Sequence, residues 1–465
     1  MARPKDKPKM IQRPRGTHDV LPPEQPIWEA VRKTIRELSR FYGFERIETP
    51  HFEMTDLFTT GVGEATDIVT KQMYSFKTRG GDQLTLRPEG TAPVARAFIE
   101  HGMMNWPQPI KVFYDGSFFR HENPQRGRYR EFHQWGLEVL GDDGAVADAE
   151  VIHVFTLFLR EWGFKDFIVE VNSIGCPACR APFRAQLTQY YRSKVRGLCK
   201  DCKERFKENP LRLLDCTEEK CMQVKKGAPQ LLDKLCEACR SHFKLLLEFL
   251  EELQIPYALN PHLVRGLDYY TRTVFEAYVD EPIKPSAEPI SPEAVVPEEK
   301  SADEEAPAPV EAPKLEDKSP RRLAVFGGGR YDNLVELVGG KSTPACGGAL
   351  GLERFIALVR EAGRAPAEEK PNVFLVQLGE LARKKSFRIM EELRAAGITM
   401  AESLGRDSIR SQLKVGDRVG ALYALIIGQK EALDEMVILR EMSSGIQETI
   451  PRSRLVDTLK RKLKT

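Results

Sequence analysis

GSFFRHENPQRGRYREFHQWGLEVLG, residues 116–141, decides how this chain folds. Two apolar-rich segments, 111–119 and 128–140, flank a charged loop holding Arg120, Arg126, Arg128 and Arg130, and read as two strands. Gln134 and Glu138 stand four apart on the return strand. Side chains alternate along a strand, so these two share one face. Arg120 follows directly on the apolar pair Phe118–Phe119. A hairpin of this kind presents a guanidinium fork to phosphate. The alternative is a charged solvent loop, and the anchoring of Arg120 by its apolar neighbours weighs against it.

Upstream, Ile27, Val31, Ile35 and Leu38 recur at helical spacing after Pro22–Pro23, with Gly43 as a stop and a strand expected at 44–49. The segment LTLRPEGTAPVARA, residues 84–97, runs a strand into a Gly-kinked turn. Glu89 and Thr91 in that turn either bind a ligand ammonium or open a helix. Residues 145–162 read as an apolar helix, and a strand is expected at 273–279. Two further segments stand out downstream. LVRGLDYYTRTVFEA, 263–277, places Arg265 beside the pair Tyr269–Tyr270, an odd composition for a plain core. FGGGRYDNLVELVGG, 326–340, precedes CGGALGLERFIALV, where Arg354 begins a helix. Three successive glycines let a backbone approach a ligand closely, or mark a bulge.

The 465 residues allow two or three domains, and 41% hydrophobic against 30% charged suits a chain with a sizeable core. No apolar run reaches the ~18 residues of a membrane span. The basic N-terminus, MARPKDKPKM, lacks the apolar stretch of a secretory signal, so a cytoplasmic location is expected. The net charge of +2 hides a bias. Residues 281–320 carry eleven acids against four lysines, nine prolines and no glycine or aromatic residue. Such a segment buries too little to offset ordering entropy and is expected to be disordered. Residues 371–465 hold 17 basic and 12 acidic side chains, compatible with phosphate-backbone contact and equally with a solvated surface. There the pattern alternates: strands at 373–378, 399–403 and 423–427, helices at 380–396 and 406–414. That implies parallel βαβ units.

Eight of nine cysteines cluster between 176 and 239. Cys176–Cys179, Cys199–Cys202 and Cys236–Cys239 are CxxC pairs, with Cys216 and Cys221 between. The first two pairs stand nineteen residues apart, a four-cysteine zinc spacing. Structural Zn²⁺ on Cys176, Cys179, Cys199, Cys202, Cys236 and Cys239 is therefore suspected, with reduced buried thiols as the alternative. Which pairs share an ion does not follow from spacing. Cys346 stands apart and reads as a packing residue.

Composition and periodicity stop at a two-domain α/β protein with a basic tail domain. The segments together carry more: they resemble the histidyl branch of the class II aminoacyl-tRNA synthetases from about residue 11 to 465, apart from 281–320. The helix at 24–41 with strand 44–50 resembles motif 1, which builds the dimer interface in that family. Residues 112–140 resemble motif 2, and 347–358 motif 3. The RGLDYYTRTVFE and GGGRYD segments are specific to histidyl enzymes. The resemblance implies an α+β catalytic domain, an antiparallel sheet flanked by helices, over 1–364. It would hold a Cys-rich helical insertion at 173–245 and the acidic insertion at 281–320. A linker at 365–371 would lead to an α/β anticodon-binding domain at 372–465. The implied substrates are L-histidine, ATP with Mg²⁺, and tRNA(His), and the implied assembly is a homodimer. Glu89, Gly90 and Thr91 would hold the amino group of histidine, Gln134 and Glu138 would share the amino acid site, and Tyr269 and Tyr270 would line the side-chain pocket. Arg120 and Arg265 would grip the α-phosphate, with Arg120 also at the histidine carboxylate, and Arg354 the γ-phosphate.

Three other readings compete. A regulatory paralogue that senses histidine would lose the catalytic arginines and the C-terminal module, yet Arg120, Arg265, Arg354 and that module are all here. A synthetase for another amino acid of the same subgroup conflicts with RGLDYY. A pure RNA-binding protein has no use for the three arginines.

Overall fold

The structure is a computed structural model that describes residues 10–64, 66–124, 127–279, 323–367, 369–404 and 408–463. The expectation of disorder at 281–320 lies outside the described residues. Two compact units divide between Pro366 and Ala367.

The first unit is built on an eight-stranded sheet. Its order across is Glu45–Arg46, Ile110–Phe119, Glu131–Leu140, Ala345–Gly351, Leu323–Arg330, Thr271–Val279, Phe167–Ser173 and Tyr257–Leu259. The six inner strands are antiparallel, and each outermost strand joins in parallel. The hairpin read from residues 116–141 is the sheet's longest pairing, Ile110 opposite Leu140 and Phe119 opposite Glu131. Only two residues of the strand expected at 44–49 join the ladder, because Glu45 and Arg46 sit at an edge and pair on one side only.

Period-two alternation gives the sheet two different faces. Trp135, Leu137 and Val139 pack into one core with Phe113, Phe275 and Phe326. Helices Gln25–Phe41, Ala145–Glu161 and Leu352–Glu361 cover that face. Helix Ala145–Glu161 buries eleven of its seventeen residues, as its nearly unbroken apolar sequence requires. The even positions Gln134 and Glu138 point to the opposite face. There Tyr114 lies over Gly136, its cross-strand partner. A Cβ at Gly136 would stand 2.0 Å from the Tyr114 ring, so only glycine admits the tyrosine.

A three-stranded antiparallel sheet, Phe52–Met54, Gln83–Leu86 and Tyr74–Lys77, delivers Arg87-Pro88-Glu89 to the same face. Between strands Phe167–Ser173 and Tyr257–Leu259 the chain leaves the sheet in helices Pro177–Arg192, Lys200–Glu208, Glu219–Lys225 and Glu237–Glu252.

Leu323 pairs with Val279, so the acidic segment is bracketed by two residues facing each other across adjacent strands. A loop closed at that point costs little for its length, since closure entropy grows only logarithmically. Deleting 281–320 and joining the ends with a short turn is expected to leave the aminoacylation rate within about twofold, given that weak dependence. A tenfold loss would give the segment a catalytic part.

The second unit is a mixed five-stranded sheet in the order Met400–Glu402, Val373–Gln377, Tyr423–Ile427, Met436–Glu441, Gln447–Pro451. The first three strands are parallel, as the βαβ reading requires. The last two form an antiparallel hairpin that the sequence reading did not include. Gln447–Pro451 is mostly exposed and polar, so it shows no apolar alternation.

Candidate functional site

Three arginines from three separate segments line one cavity of about 170 Å³. Arg120 stands at the end of the first hairpin strand. Its Nε donates to the Pro88 carbonyl at 2.8 Å, and its guanidinium lies 5.2 Å from the centre of the Phe132 ring. Arg265 enters from the loop before strand Thr271–Val279, and its Nη1 stands 2.9 Å from Glu276 Oε1. Burial alone would depress the Arg265 pKa, but Glu276, with Tyr270 and Asp215, outweighs it and holds the group above its ordinary value. Arg354, on the first turn of helix Leu352–Glu361, donates through Nε to the Gly127 carbonyl at 3.0 Å. Gln134 lines the same cavity, as do the carboxylates of Glu122, Glu276 and Glu353.

Of the glycine run, Gly327 lines the cavity and makes room there for Arg265: a Cβ would stand 2.6 Å from Nη1. The glycine thus lets the guanidinium lie flat against the sheet. The bulge reading matches a register shift between Gly329 and Arg330.

Beside this cavity, the face around Glu138 is a closed polar cluster. Thr91 Oγ1 donates to Glu138 Oε1 at 2.7 Å, and the Tyr331 hydroxyl donates to Oε2 at 2.6 Å. The Tyr114 hydroxyl stands 3.4 Å from Oε1. Burial pushes the Glu138 carboxyl up to about 8, against the hydrogen bonds from Tyr331 and Thr91 that favour the anion. Glu89 lies next to it. Its two oxygens accept from the Thr91 and Ala92 N–H groups at 2.8 Å, and the Tyr269 hydroxyl donates at 3.2 Å. Glu89 thus satisfies the open end of helix Thr91–Glu100, as the helix-opening reading of the 84–97 turn expects, and it also faces the cluster. Gly90 is that helix's N-cap and lies against the Tyr114 ring. Tyr269 and Tyr270 are buried, with ring centres 4.7 Å apart, and Tyr331 lies 5.7 Å from Tyr269.

The structure thus brings Arg120, Gln134, Arg265 and Arg354 to one cavity, and Glu89, Gly90, Thr91, Glu138, Tyr269 and Tyr270 to one cluster. Gln134 and Glu138 on one strand join the two. Four further groups escaped the sequence reading. Tyr114 and Tyr331 both contact Glu138; Tyr331 follows Arg330 in the quoted glycine segment, and a tyrosine beside an internal acid was the available signal. Glu276 pairs with Arg265, and its signal was an acid inside the apolar run Val274-Phe275-Glu276-Ala277. Glu353 accepts from the His133 N–H at 2.9 Å and stands 2.8 Å from its Nδ1, a pairing across 220 positions that no local pattern reveals.

The cysteines form two sets. The sulfurs of Cys176, Cys179, Cys236 and Cys239 lie within 4.8 Å of one another, and so do those of Cys199, Cys202, Cys216 and Cys221. The nineteen-residue spacing of the first two pairs is therefore not a shared site. Helix Pro177–Arg192 separates those pairs, and its first turn meets the first turn of helix Glu237–Glu252 instead. Cys216 and Cys221, outside the candidate ligands, complete the second set. Cys346 is buried in the sheet core.

Residues 16–288 match the family model for histidyl-tRNA synthetase, and 372–462 match the anticodon binding domain. A histidine–tRNA ligase from Caldicellulosiruptor saccharolyticus is 42% identical over 97% of this chain and 100% of its own length. One from Halothermothrix orenii is 43% identical over 97% of this chain and 99% of its own. Among solved structures, the apo histidyl-tRNA synthetase of S. aureus is 32% identical with a TM-score of 0.74, covering 97% of this chain and all of its own. Agreement of sequence, domain order and fold over nearly the whole length places this chain in the histidyl-tRNA synthetase family.

Proposed function

We propose that this chain is an ATP-dependent ligase that joins L-histidine to tRNA(His) through a histidyl-adenylate, releasing AMP and diphosphate. The observation that carries the reading is the convergence of Arg120, Arg265 and Arg354 on one cavity that opens beside the Glu89–Glu138 cluster. Attack of the histidine carboxylate on the α-phosphorus builds negative charge on equatorial oxygens. Arg120 and Arg265 hold that charge in place, and their ties to Pro88 and Glu276 orient them before substrate arrives. Arg354 receives the γ-phosphate. ATP enters as its Mg²⁺ complex, and the cavity carboxylates are the oxygen donors a hard cation accepts.

Glu89 and Thr91 take the histidine ammonium, and Gln134 shares the amino acid site. Tyr269 and Tyr270 close the side-chain pocket. Glu138 accepts an imidazole N–H. An analogue without ring nitrogens leaves this buried acid without its ligand partner, which is the costly kind of mismatch.

The C-terminal unit is proposed to hold the anticodon stem and read its loop. A homodimer is proposed through helix Gln25–Phe41 and the segment 44–50 that follows it, where Phe41 at the end of the helix is exposed. No helix among the described residues is long and apolar enough to cross a membrane, and a cytoplasmic location is proposed. The cysteines of the insertion are proposed to hold structural Zn²⁺, an ion that a tetrahedron of four thiolates suits.

Amino-acid-dependent ATP–pyrophosphate exchange, run separately with each of the twenty amino acids, tests the ligase reading. Exchange with histidine alone is expected. Exchange with another amino acid would reassign the substrate, and none at all would favour a regulatory paralogue.

A further inference from the structure

We infer that the helical insertion binds two zinc ions on nested ligand sets, and that the inner ion fixes the loop carrying Arg265. This rests on the zinc reading and extends it in number, connectivity and consequence. The outer set is Cys176, Cys179, Cys236 and Cys239; the inner set is Cys199, Cys202, Cys216 and Cys221.

The sulfur spacing is that of a coordination tetrahedron. A Zn–S bond of about 2.3 Å gives a tetrahedral S···S edge of about 3.8 Å. Cys176 and Cys179 stand 3.7 Å apart, Cys176 and Cys236 3.9 Å, and Cys199 and Cys216 3.9 Å. A disulfide would bring two sulfurs to about 2.05 Å, and all of these cysteines are free. The backbone favours thiolates as well. Cys176, Cys199 and Cys236 are each the N-cap of a helix. N–H groups point at sulfur from Cys236 to Cys179, from Cys202 to Cys199 and from Cys199 to Cys221, at 3.1–3.3 Å. On binding, each thiol releases its proton to solvent and bonds the ion.

The two ions have different mechanical positions. The outer one ties the first turn of helix Pro177–Arg192 to the first turn of helix Glu237–Glu252, closing the whole insertion at its base. The inner one closes the segment 203–215 between Cys202 and Cys216. That segment makes the contacts that matter to the site. Arg212 Nη1 donates to the Gly266 carbonyl at 3.1 Å, and Asn209 Nδ2 to Asp268 Oδ1 at 2.8 Å. Arg205 and Arg212 both reach Asp67 Oδ2, at 2.8 and 3.0 Å. Residues 260–270 lie between strands Tyr257–Leu259 and Thr271–Val279 in no helix or strand. These side-chain contacts hold them, beside hydrogen bonds from the Asp268 N–H to the Val62 carbonyl and from Arg180 Nη1 to the Tyr270 carbonyl. Arg265 and Tyr269 sit in that loop. A staple closing 13 residues on so small a core is where a metal contributes most.

The test uses the full-length chain. Elemental analysis for zinc and iron is expected to give two zinc per chain, and one in the variant Cys216→Ser/Cys221→Ser. Hydrogen exchange in that variant is expected to rise at least tenfold in 200–216 and 263–270 and to stay unchanged in 373–427. Should the variant fail to fold, the same exchange comparison is made on wild-type chain before and after mercurial release of zinc. No zinc, or iron in its place, overturns the zinc reading itself. One zinc in the wild type overturns the two-ion arrangement but leaves that reading standing. Two zinc with unaltered exchange at 263–270 overturns the coupling to Arg265.

Discussion

Replacing Arg265 by alanine is expected to lower histidine-dependent ATP–pyrophosphate exchange by about 10²–10³-fold, the loss typical of one preorganised donor at a developing oxyanion. Histidine affinity should change by less than about threefold, because uniform binding and transition-state binding separate in such a variant. The structure supports this split. Arg265 lines the three-arginine cavity, whereas the Glu89–Glu138 cluster is held by its own hydrogen bonds from Thr91, Tyr269 and Tyr331. The variant should still fold. Glu276, which loses its partner, keeps 24% of its side chain exposed and remains hydrated. Lysine at this position keeps the charge but not the planar fork, so only a minor part of the rate should return. The measurement is exchange kinetics beside calorimetric histidine binding. Near-normal exchange in Arg265→Ala would remove Arg265 from the catalytic role.

The sequence was informative wherever a signal was local. Alternation along 131–140 placed Gln134 and Glu138 on one face, and the structure puts them there because neighbouring strands leave a pleated strand no other choice. Helix Gln25–Phe41 announced itself through Ile27, Val31, Ile35 and Leu38, all buried on one stripe. Ligand assignments went further only through resemblance, since nothing in the spacing of Arg120, Arg265 and Arg354 says that they meet. Non-local pairings were invisible. Glu276 beside Arg265 and Glu353 beside His133 are set by strand order, which periodicity does not encode. The cysteines show the limit most plainly. Spacing along the chain suggested a four-cysteine site for the first two pairs but left the pairing open, and the meeting of the first turns of two helices brings the first pair to the third. The final hairpin of the second unit was missed for another reason: its outer strand is an exposed edge with little apolar content.

Arg330 is the clearest case of a conspicuous motif residue with a structural task, and Arg330→Ala is expected to destabilise the first unit by about 3–5 kcal/mol, the usual cost of removing one partner of a buried ion pair. Its side chain and that of Asp148 are both fully buried, with Nη2 at 2.6 Å from Oδ2. Nη1 and Nη2 also donate to the carbonyls of Asp142 and Gly144 at 2.7 and 2.8 Å, fastening the turn that opens helix Ala145–Glu161. Removal would leave a carboxylate and two carbonyls without these donors in the interior. Burial by itself would push Asp148 up, but Arg330 and His242 outweigh it and hold the carboxyl below its usual range. A depressed acid contributes stability above its unfolded pKa and loses it as pH falls through the folded value. The gap between wild type and variant should therefore narrow below about pH 4, near the ordinary aspartate value. The double variant Asp148→Ala/Arg330→Ala should cost less than the two single changes added together, because neither charge is then stranded. Thermal melts of the four proteins across pH read all of this. Since Tyr331 follows Arg330 and holds Glu138, activity should fall with stability. An unchanged melt with lost exchange activity would instead make Arg330 a direct participant in the chemistry.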